Sequence, residues 1–404
     1  MKWKRVFFLM VALALVLAPA RLLAGSRRPL EEPVTIWTAT DLHSIAPDLM
    51  GDYFDEPASG GDGKAVRYSA EITGALLKQA AREQPDVLIL SGDLTLNGAE
   101  QSHRELAEQL HTLQNSGVQV LTIAGNHDVD GACADYSTFN GETLQTMPGL
   151  TSEQYKELYA PFGWQQAISR DEESLSYVYQ VHPRLRILMV DTNCYGKGYV
   201  KYSTIRWIEE QLQDAMWAGA KVIGVSHQNL YAHNRMLSFG YQLYNAADLQ
   251  EVYDKYRVLC NLTGHIHVQS IMEAKVPEIS TSSLSVAGSH FGEVVYDGRR
   301  LTYTARETEM PRLAGQVLWY FEEVARRQTY QSFAASNLLP EQVDLLAETF
   351  ANINSAYFSG QPIRAEDFAE GIALWRKQDG FVSRYIDTML ESGKKDHLKI
   401  VING

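Results

Sequence analysis

Short apolar runs rich in β-branched residues recur along residues 34–307, and most of them end in polar side chains. The runs are VTIWTATD, DVLILSGD, VQVLTIAGNHD, LRILMVDTN, KVIGVSHQN and VLCNLTGHIH. Between several of them apolar residues follow helical spacing, as in AEITGALLKQAAREQ and TIRWIEEQLQDAMWAG. Nearly continuous apolar strands that alternate with helices are typical of sheets covered by helices on both faces. We therefore predict a layered α/β domain.

Two segments in the same region predict antiparallel hairpins. SLSYVYQVHPRLRILMVD has its turn at His182-Pro183, and FGEVVYDGRRLTYTARE has its turn at Asp297-Gly298. An Asp-Gly pair between alternating strands favours a type I′ turn, because both residues tolerate a positive φ.

Beyond Pro311 the strand pattern stops and helical spacing replaces it. Amphipathic helices are predicted in GQVLWYFEEVARR, PEQVDLLAETFANI, EDFAEGIALWRKQ and FVSRYIDTMLES, with breaks at 360–362 and 379–380. We predict a small all-α bundle over residues 312–404 after an α/β domain over residues 33–308. No titratable cluster occurs in the bundle, so its expected role is structural or that of a surface for a protein partner.

The first 25 residues have the order of a secretory signal. Three basic residues precede the apolar stretch 6–17, and the small residues Ala18 and Ala20 follow it. The stretch is shorter than the ~20 residues of a comfortable membrane span. We predict that residues 1–25 direct export, which makes the protein secreted and extracellular, or membrane-anchored through this segment if it stays uncleaved.

The net charge narrows the class of binding partner, and the spacing of the cysteines argues against a zinc site built from thiolates. The formal net charge of −13 argues against nucleic-acid binding, since phosphate backbones attract basic surfaces. A small anionic substrate remains compatible, because bound cations can reverse the local charge. Cys133, Cys194 and Cys260 have no zinc-site spacing, and we interpret them as small buried hydrophobes.

Polar side chains follow the carboxyl ends of the predicted strands. They are Asp41, His43, Asp93, Asn126, His127, Asp128, His227, His265 and His267. In open α/β sheets the carboxyl ends of the strands form the ligand-binding edge. Each motif alone is also compatible with an ordinary loop or turn, but together, in this order, they predict a single site.

The donor types predict the chemistry of that site. Seven of the side chains offer oxygen or nitrogen donors without any thiolate, namely Asp41, His43, Asp93, Asn126, His227, His265 and His267. Seven donors exceed the need of one ion that also holds water and substrate, so they suggest two ions with a shared carboxylate. Imidazole with carboxylate favours manganese, iron or zinc. Two ions about 3.5–4 Å apart can activate a water and clamp a displacement at phosphorus.

The order DLH, GD, GNHD, a lone His after a strand, and GHIH resembles the calcineurin-like metallophosphoesterase family, over roughly residues 34–307. The resemblance implies a four-layer αββα sandwich with a dinuclear metal centre. It assigns Asp41, His43 and His267 to one ion, and Asn126, His227 and His265 to the other. Asp93 would bind both ions.

The resemblance also implies catalytic roles. His127 would protonate the leaving oxygen, and Asp128 would orient its imidazole. A hydroxide that bridges the two ions would attack phosphorus. A small-molecule phosphoester is therefore the expected substrate.

Finer motifs resemble the exported class III cyclic nucleotide phosphodiesterases, some of which end in a helical domain. The segments are MGDYFDEPASGGDGKAVRYSAEI, SGDLTLNGAEQSHREL, FGWQQAISRDEESLSYVY and EISTSSL. Asn97, Gln228 and Asn229 are the expected substrate contacts, although relatives often have a second His where this chain has Gln228. The expected substrate is a phosphodiester such as a cyclic nucleotide. The alternatives are an extracellular phosphomonoesterase or glycerophosphodiesterase, or a non-catalytic surface binding protein on the same fold.

Overall fold

The computed structural model describes residues 29–55, 63–193 and 198–404. The predicted export segment 1–25 and Cys194 lie outside these residues. Within them, no helix combines the length and the hydropathy that a membrane span requires. Cys133 and Cys260 are buried free thiols, as the cysteine interpretation predicts.

The described residues form fifteen strands and nine α-helices. The strands are β1 (Val34–Ala39), β2 (Val87–Ser91), β3 (Gln119–Ile123), β4 (Cys133–Asp135), β5 (Gln145–Met147), β6 (Ser169–Arg170), β7 (Tyr177–His182), β8 (Leu185–Val190), β9 (Lys221–Ser226), β10 (Asn261–Thr263), β11 (Ser270–Met272), β12 (Glu278–Ser280), β13 (His290–Tyr296), β14 (Arg300–Glu307) and β15 (Lys399–Asn403). The helices are α1 (Ser69–Glu83), α2 (Glu100–Asn115), α3 (Ser152–Tyr159), α4 (Tyr202–Ala218), α5 (Ala246–Tyr256), α6 (Ala314–Phe333), α7 (Pro340–Phe358), α8 (Ala369–Trp375) and α9 (Phe381–Ser392).

Two large sheets carry the fold. The first has the order β15-β14-β13-β1-β2-β3 and the second the order β11-β12-β10-β9-β8-β7-β6, while β4 and β5 form a separate ribbon. Strands β1, β2 and β3 are mutually parallel, and so are β8, β9 and β10. Their carboxyl ends therefore lie at one edge of each sheet, which confirms the predicted α/β arrangement.

Strand β8 illustrates how the apolar runs build four layers. Successive side chains of a strand point to opposite faces. Ile187 and Met189 join the core between the sheets, whereas Leu188 and Val190 pack against α4 and α5. Helices α1 and α2 pack against the first sheet. Both faces of each sheet are covered, and for this reason the central strands are apolar throughout.

The two predicted hairpins are present, but both turns lie one position later than predicted. In the first hairpin His182 pairs with Leu185, so the turn residues are Pro183 and Arg184 and not His182-Pro183. Strands β7 and β8 pair antiparallel, as do β13 and β14. In the second hairpin the Asp297 N–H donates to Arg300 O at 3.1 Å, so the central residues are Gly298 and Arg299. Only Gly298 has a positive φ, 89°. This is the type II′ pattern, so the predicted type I′ turn at Asp297-Gly298 is wrong by one position.

The C-terminal region contains the four predicted helices, α6 to α9, whose apolar core also includes Ile266, Val268, Val286 and Ala287 of the α/β domain. The expectation that no strand follows Pro311 is wrong, because β15 returns to the first sheet and pairs with β14. The residues of β15 are all partly or fully exposed, so this strand does not have the buried apolar run that marks the equally short β2 and β3. The helical region is thus tied at its end to the sheet of the α/β domain.

Candidate metal centre

The structure brings the predicted donors together at the carboxyl ends of parallel strands. Each side chain lies in the loop directly after a strand: Asp41 and His43 after β1, Asp93 after β2, Asn126 after β3, His227 after β9, and His265 and His267 after β10. The loops run alongside each other, and the His43 N–H donates to Asp93 O at 3.0 Å. All seven predicted donors therefore meet at one place.

One group of potential ligand atoms consists of Asp41, His43, Asp93 and His267, whose atoms lie within 4.8 Å of one another. His267 Nε2 is 3.3 Å from Asp41 Oδ1 and 3.1 Å from His43 Nε2. His43, Asp41 and Asp93 are almost completely buried. Two imidazoles and two carboxylates facing one another form a suitable donor set for manganese, iron or zinc.

A second group consists of Asp93, His227 and His265, again within 4.8 Å. Asn126 belongs beside it, since its Oδ1 lies 3.0 Å from His227 Nε2. Asn126 is exposed, unlike the buried His227. The second group therefore opens toward solvent at the amide.

Asp93 belongs to both groups. Its Oδ1 lies 3.2 Å from His227 Nε2, and its Oδ2 lies 3.9 Å from His43 Nε2. The two oxygens of one carboxylate thus face the two sets of imidazoles separately. This is the arrangement expected of a carboxylate shared between two cations.

The residues fit metal ions in their hydrogen bonding as well. Asp41 Oδ2 accepts from the His265 N–H at 2.8 Å and from Thr40 Oγ1 at 2.8 Å. Its Oδ1 is buried and, within the described residues, accepts no hydrogen bond of good geometry. One oxygen is anchored and the other is left for a cation, because a buried carboxylate oxygen without a partner is costly.

Hydrogen bonds to backbone carbonyl oxygens orient the imidazoles of His227 and His265. The His227 Nδ1 donates to the carbonyl oxygen of Ser91 at 3.0 Å, so Nε2, which lies toward Asp93, is the ring nitrogen left to bind a metal ion. His265 donates through Nε2 to Gly240 O at 2.9 Å, which leaves Nδ1 as its ligand atom. Imidazoles that bind metal usually donate their other N–H to a carbonyl or carboxylate in this way.

The backbone at these positions is unusual. Five of the seven donors have φ in the left-handed region: Asp41 at 51°, His43 at 43°, Asp93 at 48°, His265 at 71° and His267 at 59°. Asp and His tolerate this region better than most residues, but it is still sparsely populated. Such conformations cluster at functional sites, at a cost of order 1–3 kcal/mol each. At these five residues the left-handed conformation turns the chain after each strand toward the metal centre.

Gly264 permits the loop of His265 to approach the loop of Asp41. A Cβ at this position would lie 1.9 Å from Thr40 Oγ1 and 2.3 Å from Asp41 Oδ2. Neither atom can retreat, because both are buried and hydrogen-bonded. Glycine is therefore required by the packing of two ligand loops.

Comparison with known families shows to which family the chain belongs. Residues 34–269 match the model described as calcineurin-like phosphoesterase. The chain belongs to the calcineurin-like phosphoesterase family. It is therefore a metal-dependent phosphoric ester hydrolase, and its buried His/Asp cluster provides the sites for divalent metal cofactors. Residues 318–396 of this phosphoesterase match a second model, the C-terminal domain of cyclic nucleotide phosphodiesterase.

The individual proteins that resemble this chain have low sequence identity to it. A protein of Psychrobacter arcticus named "probable cyclic nucleotide phosphodiesterase" is 26% identical over 242 residues, which is 58% of this chain and 74% of the relative. A dimetal phosphatase from Danio rerio superposes with a TM-score of 0.46 at 14% identity, over 69% of this chain and 97% of that chain. The purple acid phosphatase PPD1 from yellow lupin gives a TM-score of 0.45 at 14% identity, over 70% of this chain and 52% of that chain.

His127 occupies the position expected of a non-ligand histidine. Its Nε2 lies 4.0 Å from Asp93 Oδ2, and its side chain is 37% exposed. Its Nδ1 lies 3.3 Å from Asn97 Oδ1, and the Asn97 amide group donates to Tyr136 Oη at 2.6 Å. Both ends of the Asn97 side chain are thus held by protein groups, so the structure gives this predicted substrate contact a role in positioning His127.

The prediction that Asp128 orients His127 is wrong. The Asp128 carboxylate is fully buried and points the other way, toward the backbone of the loop after β2. It accepts from the N–H groups of Leu94 at 3.0 Å, Thr95 at 2.9 Å and Gly125 at 2.8 Å. Asp128 therefore ties the loop that carries Asp93 to the loop that carries His127. The GNHD motif does not reveal this, because the direction of the Asp128 side chain is set by the backbone of the loop after β2.

Gln228 and Asn229 do not face a substrate either. They are 2% and 1% exposed. Gln228 donates to Asn193 Oδ1 at 3.1 Å, and Asn229 donates to Gly264 O at 3.2 Å. The predicted substrate contact is wrong for both residues. Instead Gln228 ties the loop after β9 to the loop after β8, and Asn229 ties it to the loop after β10.

Lys64 is a residue that the sequence motifs do not indicate. Its Nζ lies 3.4 Å from His43 Nε2, and the residue is 8% exposed. Burial and this ammonium group hold the pKa of His43 well below its ordinary value. Lys64 lies in the segment MGDYFDEPASGGDGKAVRYSAEI, but the resemblance assigns no role to this residue.

The carboxylates set the electrostatics of the centre. Burial alone would raise the pKa of Asp93, but His227 and His127 hold that pKa well below its ordinary range. Burial opposes the charged form of His227, yet Asp93 raises the pKa of that imidazole to about 9. The cluster thus attracts positive charge into a buried site, which is the electrostatic requirement for binding cations.

Proposed function

We propose that this phosphoesterase is an exported hydrolase of phosphodiesters, with cyclic nucleotides as substrates and two metal ions in its active site. The observation that carries the proposal is the position of Asp93 between two groups of donors. Asp41, His43 and His267 would hold one ion, and Asn126, His227 and His265 the other. When bound, such a pair supplies an activated water and neutralises charge on the phosphoryl group.

His127 is the proposed acid for the leaving oxygen. It is the partly exposed imidazole that borders Asp93 without belonging to either ligand group. Its Nδ1–H is held by Asn97 Oδ1, so its Nε2 faces the site. A proton on Nε2 can then pass to the alkoxide as the ester bond breaks.

Three observations support the substrate class. The match of residues 318–396 is to a domain of cyclic nucleotide phosphodiesterase, and the relative from Psychrobacter arcticus carries that name. Lys64 adds a positive charge beside His43, as an anionic substrate requires. The SGDLTLNG segment, which carries Asp93 and Asn97, resembles the corresponding segment of class III cyclic nucleotide phosphodiesterases.

Metal analysis tests the two-ion assignment. Purified wild-type protein is expected to retain two metal ions per chain by elemental mass spectrometry, and Asp93→Asn to lose at least one. Asp379→Asn makes the same chemical change at an exposed position of the helical region and should leave occupancy unchanged. Full occupancy in Asp93→Asn would contradict the shared carboxylate.

A substrate panel tests the reaction. With manganese added, the enzyme should hydrolyse bis-p-nitrophenyl phosphate and cyclic AMP faster than p-nitrophenyl phosphate. Preference for the monoester would overturn the diesterase proposal while leaving the family assignment intact.

Export is tested separately from catalysis. The apolar stretch 6–17 after a basic start supports the proposal. Mass spectrometry of the full-length gene product should find it outside the cytoplasm, with a new N-terminus near residue 25 or with the segment retained in the membrane fraction. Recovery of the intact chain only from the cytoplasm would refute export.

A further inference from the structure

A cavity of about 420 Å³ lies between the helical region and the metal centre. His267, a member of the first ligand group, is one of its lining residues. Tyr241 lines it as well, and its ring centroid is 5.3 Å from that of the ligand His265. The cavity is therefore continuous with the proposed site of phosphoester hydrolysis. Its volume lies within the range of pockets for small ligands.

The opposite wall is aromatic and comes from the C-terminal helices. Phe321 of α6, Phe350 and Phe358 of α7, and Phe381 and Tyr385 of α9 all line the cavity. The rings of Phe321 and Phe358 are 5.0 Å apart, and Phe381 stacks on Tyr385 at 5.5 Å. Phe381 is 51% exposed. Flat apolar walls of this kind suit a planar ring.

One polar side chain in the wall has no partner. Asn354 of α7 lines the cavity and is only 8% exposed. Within the part of the chain that the structure describes, its side-chain amide forms no hydrogen bond. Because Asn354 lines the cavity, a ligand bound there can form hydrogen bonds with its amide. An amide offers one acceptor and two donor hydrogens, which complement the edge of a nucleobase.

The helical region is fixed against the loop that carries the ligands. Ile266 and Val268, on either side of His267, belong to the apolar core of the helices. The Gln269 N–H donates to Phe358 O at 3.0 Å. The aromatic wall and the metal ligands are thus held at a constant separation by direct contacts.

A second cavity near the centre has a different character. It has a volume of about 670 Å³, borders Asn126, and is lined by five carboxylate and two lysine side chains with few apolar groups. It offers no aromatic surface to a base and would repel an anionic substrate. Of these two cavities, only the aromatic one suits a nucleobase.

We propose that the cavity beside His267 binds the base of the nucleotide substrate, with the ring between the aromatic side chains and the Asn354 amide bonded to its edge. This inference rests on the proposed cyclic nucleotide phosphodiesterase function, which it extends by assigning a specificity pocket. The α/β domain then provides the metal centre, and the C-terminal helices provide recognition of the base.

Nucleoside binding tests the pocket without the phosphoester reaction. The fluorescent nucleoside 2-aminopurine riboside carries no phosphate, so its binding does not require hydrolysis. The wild-type protein should quench its fluorescence saturably, and adenosine but not ribose should compete. Absence of saturable quenching would overturn the proposal.

Matched variants test the residues. Asn354→Leu preserves side-chain volume but removes the amide, and it should weaken nucleoside binding roughly tenfold, the effect of one hydrogen bond. Asn352→Leu makes the same change at an exposed position of α7 and should bind as wild type does. If Asn354→Leu fails to fold, Phe381→Ala at its half-exposed position should still weaken binding about fivefold through lost stacking. Wild-type affinity in folded Asn354→Leu, or in Phe381→Ala, would refute the assigned contacts.

The two proposals fail in distinguishable ways. Nucleoside binding by a protein that hydrolyses no phosphodiester would support the pocket and refute the proposed reaction. Hydrolysis of bis-p-nitrophenyl phosphate without any nucleoside binding would support the reaction and refute the pocket.

Discussion

Replacing Asp128 by Asn distinguishes a structural carboxylate from a catalytic one. The substitution preserves shape but converts one carboxylate oxygen into an NH₂ group. In the structure Oδ2 accepts from the backbone of Leu94 and Gly125, while Oδ1 accepts from the N–H of Thr95 at 2.9 Å and its hydroxyl at 3.1 Å. The least costly rotamer places NH₂ on the Oδ1 side, where the hydroxyl can turn and accept. The Thr95 N–H then has no acceptor.

The magnitude follows from these bonds. A buried N–H without an acceptor costs about 1–3 kcal/mol, and the two bonds to the remaining oxygen each weaken by about 1 kcal/mol when the acceptor loses its charge. Burial raises the pKa of Asp128, so removing a charge that is unfavourable in the folded state offsets part of this loss. We expect a net loss of roughly 2–3 kcal/mol in the free energy of unfolding.

Chemical denaturation followed by tryptophan fluorescence measures this loss as a lower midpoint. Asp379→Asn is the control, since it makes the same chemical change at an exposed position and should shift the midpoint little. The pH profile of turnover should keep its wild-type shape, because Asp128 does not contact the His127 imidazole. An unchanged midpoint together with a shifted pH profile would refute the structural role and restore the orienting role suggested by the motif.

Four further predictions follow from the site. Gly264→Ala should lower metal content and activity together, because its Cβ would collide with Thr40 and Asp41; retention of metal would show that the two loops can separate. His127→Ala should reduce turnover by about 10²–10⁴-fold while leaving metal content close to wild type, and equal loss of both would contradict its role as acid. Lys64→Met should raise KM for phosphodiesters more than it lowers kcat, and an unchanged KM would exclude contact with the substrate. Chelation should lower the melting temperature, since ions that bind only the folded state stabilise it, and re-addition of manganese should restore it.

The sequence determined the fold class and the members of the metal centre for a simple physical reason. Apolar runs that alternate with amphipathic helices form parallel strands, and the carboxyl ends of parallel strands share an edge. Polar residues at the ends of neighbouring strands of one sheet, such as Asp41 and Asp93, must therefore meet. Asp41 and His265, which are 224 positions apart, follow strands of different sheets, so their contact also depends on how the two sheets stack. Local pattern was sufficient to predict the strands and the convergence within each sheet.

The tertiary structure decided where individual side chains point. Asp128 follows His127 in the chain, yet it bonds to the backbone of another loop, while Asn97 holds the imidazole from a distance of thirty positions. Lys64 reaches His43 although the sequence resemblance assigns it no role. Such contacts depend on how two loops approach each other, and no short-range pattern encodes that approach.

The aromatic cavity and β15 were also decided only by the tertiary structure. The cavity combines His267 with side chains from α6, α7 and α9, whose apolar residues are individually typical of any helix bundle. Strand β15 has only five residues and becomes a strand because the edge of β14 offers unpaired backbone groups. Periodicity specifies which face of an element is buried, but it does not specify against which distant element that face packs, since that depends on the assembled fold.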